Sequence, residues 1–409
     1  MSVIQQHDII QEDWANLSEQ LASRPSRRHH WIRFFMPDLA ISLAGITLIY
    51  CLLVFHAPQM LFRDSGTGWH LRTGERILTT GTLPQTDPYS FSKAGAPWLA
   101  GDWASDVAMA SVWKIAGLSG VAWLFLIALA ACTFLWVRLN WAAGGNLFIT
   151  CLLAAPMLST VSLRFLALPH VFGWILLIGF VLYFEGASPR FGIREAVVTG
   201  LGSVLWANVD GSFLMLPVVA VAYAIGHIVR LLVWQVDTAL EWQRARWFLF
   251  AAATALGASV FNPCGVALHV HVLRYLTDVG LLDRIRELEN FRFDAGGSWQ
   301  ILLTAGVATS GGVLALQQKK VGHFILTVLF LALALKSART LPMATLILLP
   351  LANGAITGAL RRTRELRPGL RHGLLHFLQY SDRLRLLDER FSGLVWTPFV
   401  ALLVFGWLR

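Results

Sequence analysis

A few ionisable side chains interrupt an otherwise apolar chain. Asp64 sits in the stretch Arg63-Asp64-Ser65-Gly66-Thr67-Gly68-Trp69-His70, and Asp102-Trp103 closes the Gly- and Pro-rich segment that follows. Arg164 precedes Pro169-His170, Asn208 and Asp210 precede Gly211, Asn262 precedes Pro263-Cys264-Gly265, and Arg339 precedes Pro342. A charge in hydrocarbon costs about 2.5–3.5 kcal/mol on insertion scales, so it faces a cavity, a partner or the interface. Singly, each residue has a plain reading. Asp64, Arg164 and Arg339 suit interfacial residues that snorkel or pair, and Asn262-Pro263 suits a helix terminator. Together they point to a polar cavity at one membrane face. A carboxylate there can take a hydroxyl proton, and Arg forks match phosphate oxygens. A Glu-x-Glu at Glu287 and Glu289 could join Asp64 around a hard cation, although Arg284, Arg286 and Arg292 can pair with those carboxylates. His269 and His271 are two apart and share no helix face, which argues against a zinc pair. The sequence holds no phosphate-cradling Gly loop and no Cys-x-x-Cys.

The elements that must position these residues are apolar runs. The chain has 409 residues, 56% hydrophobic and 14% charged, with a mean hydropathy of +0.59; a soluble chain is about a quarter charged. Runs of bilayer length recur at 38–56, 118–137, 145–161, 166–184, 195–209, 213–232, 247–262, 298–316, 321–336, 341–358 and 392–408. This predicts an all-α polytopic membrane protein with about eleven spans. Its 17 Trp and 25 Phe suit two interfacial belts. The stretch 104–117 is too short to cross and carries Asp106 and Lys114, so it reads as an interfacial helix. With that stretch uncrossed and the N-terminus cytoplasmic, the inner loops hold Arg24 to Arg33, Arg138, Arg190 and Arg194, Arg230 to Arg246, Lys319 and Lys320, and the basic stretch Arg361 to Arg390. The net charge of +9 is then a positive-inside bias and no sign of nucleic acid.

Three regions follow: 1–37, a cytoplasmic amphipathic segment with no cleavable signal; 38–360, the transmembrane domain, including the first external loop and interfacial helix at 57–117; and 361–409, a basic amphipathic segment and a last span. In the first region Ile10, Trp14, Leu17 and Leu21 share a helical face. The cysteines Cys51, Cys132, Cys151 and Cys264 lie in or beside apolar runs and read as small apolar residues.

The ordered set Asp64, Trp69-His70, Thr73-Gly74, Leu83-Pro84, Asp87-Pro88-Tyr89-Ser90, Gly95-Ala96-Pro97-Trp98 and Asp102-Trp103 resembles the first external loop of bacterial GT-C membrane glycosyltransferases. These are relatives of the polyprenyl-phosphate-sugar-dependent mannosyl- and arabinosyltransferases. Later echoes are Arg164 with Pro169-His170, Trp206-Ala207-Asn208 with Asp210-Gly211, Asn262-Pro263-Cys264-Gly265, and Arg339 with Pro342. The likeness spans about 38–360. It implies a GT-C-like fold with a long first external loop bearing interfacial helices and an acidic base at its start. The chain departs from the pattern at Gly66, where many relatives have a second Asp, and at Asp210, where a His is expected. No C-terminal soluble domain is expected.

The implied reaction moves a sugar from a polyprenyl phosphate to an acceptor hydroxyl on the outer face of the plasma (inner) membrane. Phosphate leaves readily, so one base suffices, in contrast to the carboxylate pair of glycoside hydrolysis. Asp64 is the expected base and His70 its helper. Substrate contacts are expected from Arg63, Trp69, Asp102, Trp103, Arg164, His170, Asn208, Asp210, Asn262 and Arg339. Arg63 reads equally as an ion-pair partner of Asp64. No cofactor is expected; a divalent cation on Asp64, Glu287 and Glu289 is the alternative. The partners are membrane lipid, the lipid-phosphate sugar and a glycan, lipid or protein acceptor. Two other readings stay open: a transporter or flippase of lipid-linked substrates, and a non-catalytic scaffold that keeps the fold.

Overall fold

The computed structural model describes residues 32–54, 57–187, 190–277 and 298–393. The amphipathic face expected at 8–22, Arg284 to Arg292 with Glu287 and Glu289, and all but the first two positions of the span expected at 392–408 lie outside these residues. Among the described residues every regular element is helical, and the one β contact is an isolated bridge between Thr86 and Pro97.

The helices are α1 (Leu39–Ile49, continued by a π turn Tyr50–Val54), α2 (Gly66–Thr80), α3 (Trp103–Ala142), α4 (Leu147–Ser162), α5 (His170–Glu185) and α6 (Ile193–Val209). Then come α7 (Met215–Trp234), α8 (Thr238–Ala258), α9 (Val266–Thr277), α10 (Ser298–Gln317), α11 (Val321–Lys336), α12 (Leu341–Arg362) and α13 (Pro368–Asp388). Each of the first ten expected spans falls on one of these helices. The largest shift is at α8, which begins at Thr238 and stops at Ala258, so Asn262 to Gly265 form a turn beyond it. Four described helices (α3, α7 with its leading turn, α10 and α12) are long and apolar enough to cross a membrane, and α1, α4, α5 and α11 are shorter apolar helices.

Local chemistry sets the ends. Asp38 accepts from the Ile41 N–H at 2.8 Å, and Asn146 accepts from Phe148 and Ile149; both satisfy amides that a helix start leaves unpaired. The helix α3 is broken at Ala116 and Gly117, where Gly117 takes φ +61°, a conformation that favours glycine. The break separates 103–115 from 118–142, at the boundary drawn between the interfacial stretch and the second span.

The second half of α3 and α12 form the centre. Nearly every residue from Leu341 to Ala355 is buried, with Trp136, Phe125 and Trp174 around them. Apolar side chains such as Leu152, Leu201, Leu232 and Leu335 point outward and exposed, as a lipid-facing surface requires. Polar locks sit at the end opposite Asp64. Asp38 pairs with Arg138. Asn353 bonds to the Asn146 backbone, Asn140, Thr150 and Thr357. Arg361 makes a two-pronged contact with Asp382 of α13.

Candidate active site

The site begins with a missing side chain. A Cβ on Gly74 would overlap the Asp106 carbonyl and come 2.8 Å from the Ala110 Cβ. Without it, α2 lies against the first part of α3. One turn earlier on the same face, His70 then donates from Nδ1 to Asp106 at 2.6 Å. The Asp106 side chain is 6% exposed and that of His70 25%. Burial works against a charge on His70, but the hydrogen bond and negative charge of Asp106 outweigh it. Asp102 adds to that effect, Arg339 opposes it, and the His70 pKa is raised.

The start of α3 is also tied to the end of α6. Trp103 donates from Nε1 to Asn208 at 2.7 Å, and Ser105 donates to the Val209 carbonyl at 2.7 Å. Asn208 in turn donates to the Val204 and Phe261 carbonyls. Asp210 is buried and accepts from the Ser212 amide at 3.0 Å and from the Ser212 hydroxyl, which itself accepts from Trp206. Gly173 of α5 clears the space for it, since a Cβ there would overlap the Asp210 carboxylate.

Asp102 stands at the head of the helix turn that these clamps hold. It occupies the capping position of α3 but makes no capping bond with its side chain, and part of its surface stays open. Its carboxyl is pushed up to about 7, by burial first and then by the charges of Asp210 and Asp106, against the pull of His70 and Arg339. Arg339 is exposed, in the turn Ala338–Thr340 between α11 and α12.

Asp64 belongs to a second group. Its Oδ1 accepts from the Gly66 amide at 2.7 Å, at the start of α2. Arg63 donates to the Leu163 carbonyl at 2.6 Å, so the structure gives it a partner other than Asp64. Thr67 and the Leu61 carbonyl bond to Ala167. These contacts hold Asp64 beside the turn that carries Arg164, whose carbonyl accepts from His170 at 3.2 Å. Gly66 and His70 are four residues apart on α2, about 6 Å along its axis.

Trp69 stacks on Trp98 with centroids 5.8 Å apart, and Tyr89 meets both edge-on. Asp87 shapes the loop that supplies Tyr89 and Trp98 by accepting from the Tyr89 and Ser90 amides, and its pKa is lowered by the Ser90 side chain first and then by these amides. Asn262 spends its side chain inside its own turn, on Cys264, Ser259 and Gly265.

The structure thus brings together His70, Asp102, Trp103, Asn208, Asp210 and Arg339, keeps Asp64 with Arg63, Arg164 and His170, and turns Asn262 to a local role. The sequence marked Asp106 only as a sign of an interfacial helix and Gly74 only as part of the loop pattern, and gave no role to Ser105, Ser212 or Gly173. Two signals were present: Asp102 and Asp106 are four apart, as are His70 and Gly74, which puts each pair on one helix face. Of the alternative cation ligands, Glu287 and Glu289 lie outside the described residues, and no group of three or more His, Cys, Asp or Glu among the described residues is arranged to hold a metal.

No family model and no curated protein sequence matches this chain. Solved structures do. The oligosaccharyltransferase of Archaeoglobus fulgidus in its apo form matches with a TM-score of 0.51 and 11% identity, over 94% of this chain and 60% of that one. The same enzyme, tethered through a disulfide to an acceptor peptide containing the NVT sequon, matches with a TM-score of 0.51 and 10% identity, over 93% of this chain and 55% of that one. The chain therefore spans somewhat over half the length of these proteins. The fold is an all-α membrane fold like that of this oligosaccharyltransferase.

Proposed function

We propose that the protein is a membrane glycosyltransferase that moves a sugar from a polyprenyl phosphate to an acceptor hydroxyl. One observation carries this reading: Arg339 stands between an apolar slot and the acidic cluster. The slot, about 50 Å³, runs between α4, α10, α11 and α12, with Ile301, Leu302, Leu331, Leu335, Leu341 and Leu348 on its walls. Arg339 is two residues from Leu341, and its charge acts on both Asp102 and His70. A ligand with an apolar tail, a phosphate and a polyol head matches that order of surfaces.

In this reading the tail lies in the slot and Arg339, with Arg164, holds the phosphate. Asp64 is the base. Its Oδ1 is pinned by the Gly66 amide, which orients Oδ2 for the acceptor proton. The acceptor oxygen bonds to the anomeric carbon as the bond from that carbon to the phosphate oxygen breaks, and the electron pair leaves with the phosphate. Trp69, Trp103 and His170 are proposed as further substrate contacts, in the plasma membrane with 57–103 outward and the N-terminus cytoplasmic. The acceptor is a glycan, lipid or protein.

A second reading, transport of lipid-linked substrates, draws on a buried network. Glu185 accepts from Tyr223 and from His323 at 2.9 Å, on α5, α7 and α11; buried ionisable groups within helices mark such paths. The deciding experiment measures sugar release from a panel of polyprenyl-phosphate sugars by wild type and Asp64→Asn, with and without EDTA. Turnover that falls about 100-fold in the variant supports transfer with Asp64 as base. Equal turnover in both removes Asp64 from the mechanism, and turnover by neither moves the weight to transport. Loss of turnover in EDTA restores the cation alternative.

A further inference from the structure

We infer that Asp102 is the proton donor to the leaving phosphate, a role additional to the base. This rests on the transfer reading above. The geometry is that of a fixed acid. The Trp103–Asn208 and Ser105–Val209 bonds hold the turn of α3 that begins at Asp102 against the end of α6. The His70–Asp106 pair holds the next turn of α3. The Asp102 carboxyl itself is engaged in no hydrogen bond among the described residues, and part of its surface is open. The charged groups that face it are Asp210 from the turn after α6, Asp106 from its own helix, His70 from α2 and Arg339 from the turn before α12.

The phosphate that Arg339 holds must therefore gain its second negative charge beside an acidic group. Two such charges side by side are unfavourable, and a shared proton removes the conflict. The chemistry balances. The bond from the anomeric carbon to the bridging oxygen breaks, its electron pair goes to the phosphate, and the Asp102 proton moves to a phosphate oxygen. The acceptor hydroxyl gives its oxygen to the anomeric carbon and its proton to Asp64. The products are the glycosylated acceptor and the singly protonated lipid phosphate. Proton transfer through solvent from Asp64 to Asp102 restores the resting enzyme. The match in acidity is close, since Asp102 is pushed up to about 7 and a phosphate monoester loses its second proton near pH ~6. Asp102 is protonated below that point, so activity is present on the acid side and is lost as pH rises through about 7.

The test is the pH dependence of kcat on a polyprenyl-phosphate sugar, with the purified full-length protein in nanodiscs. Wild type is expected to show an alkaline fall near neutrality. Asp102→Asn is expected to be about 100-fold slower and to lack that fall, Asp102→Glu to regain it, and Asp64→Asn to be slow with the fall intact. Infrared difference spectra of the resting protein supply a readout without substrate: a protonated carboxyl band that disappears across neutral pH in wild type and is missing in Asp102→Asn. An Asp102→Asn enzyme with wild-type turnover and an unchanged alkaline fall overturns the donor role alone, as does a resting wild type with no such band. Absence of wild-type turnover on every donor overturns the transfer reading and the donor role together.

Discussion

Replacing Gly74 by alanine tests how the site is built. The added Cβ would overlap the Asp106 carbonyl and sit 2.8 Å from the Ala110 Cβ, both well inside van der Waals contact. The start of α3 cannot yield, because Trp103 and Ser105 tie it to α6. The helix α2 must therefore back away by about an ångström, a typical consequence of overpacking, which costs about 1–3 kcal/mol. The 2.6 Å bond from His70 to Asp106 stretches with it, and a hydrogen bond to a charged partner contributes about 1.5–3 kcal/mol. The sum is about 2.5–6 kcal/mol. Misplacing a site group by about an ångström costs on the order of 100-fold in rate. Gly68 is the matched control: it lies on the same helix and nothing lies within 4 Å of a Cβ there. Gly68→Ala should be neutral or slightly stabilising through helix propensity. The assays are thermal unfolding in detergent and sugar release. If Gly74→Ala melts and turns over like Gly68→Ala, the close approach of α2 and α3 does not position His70, and the reasoning fails.

Other expectations are opposed in sign, which makes them discriminating. Arg339 lowers the Asp102 pKa and Asp210 raises it, so Arg339→Ala should move the alkaline fall of activity to higher pH and Asp210→Asn should move it to lower pH. Shifts in the same direction would contradict the arrangement. Arg339→Ala should also slow transfer about 100-fold, as loss of a phosphate donor does. In the folded chain Asp102 keeps its proton to about pH 7, whereas the unfolded chain releases it in the ordinary carboxylate range. Folding therefore loses stability as pH rises between those points, and Asp102→Asn should raise the melting temperature more at about pH 8 than at about pH 5. Asn353→Ala strips bonds from the Asn146 backbone, Asn140, Thr150 and Thr357, all buried. The expected loss is about 3–5 kcal/mol, and an unchanged unfolding midpoint would count against that network.

The positions of the helices were legible because hydrophobic run length is a local property. A run of about twenty apolar residues has one economical conformation in lipid whatever surrounds it. The break at Gly117 was legible for the same reason: a short stretch with Asp106 and Lys114 cannot continue a span. The chain alone also marked Asp102, Asp210 and Arg339 as misplaced in hydrocarbon. It could not tell that Asp102 and Asp210, more than a hundred positions apart, share one field, nor that His70 finds Asp106. Those facts depend on how closely α2 meets α3 and α3 meets α6. Gly74, Trp103 and Ser105 set the approach, and a glycine or serine has many uses in a sequence. Protonation is the least local property of all. In the sequence Asp102 is one aspartate among others, and the packing around it, which removes water and gathers other charges, pushes its carboxyl up to about 7.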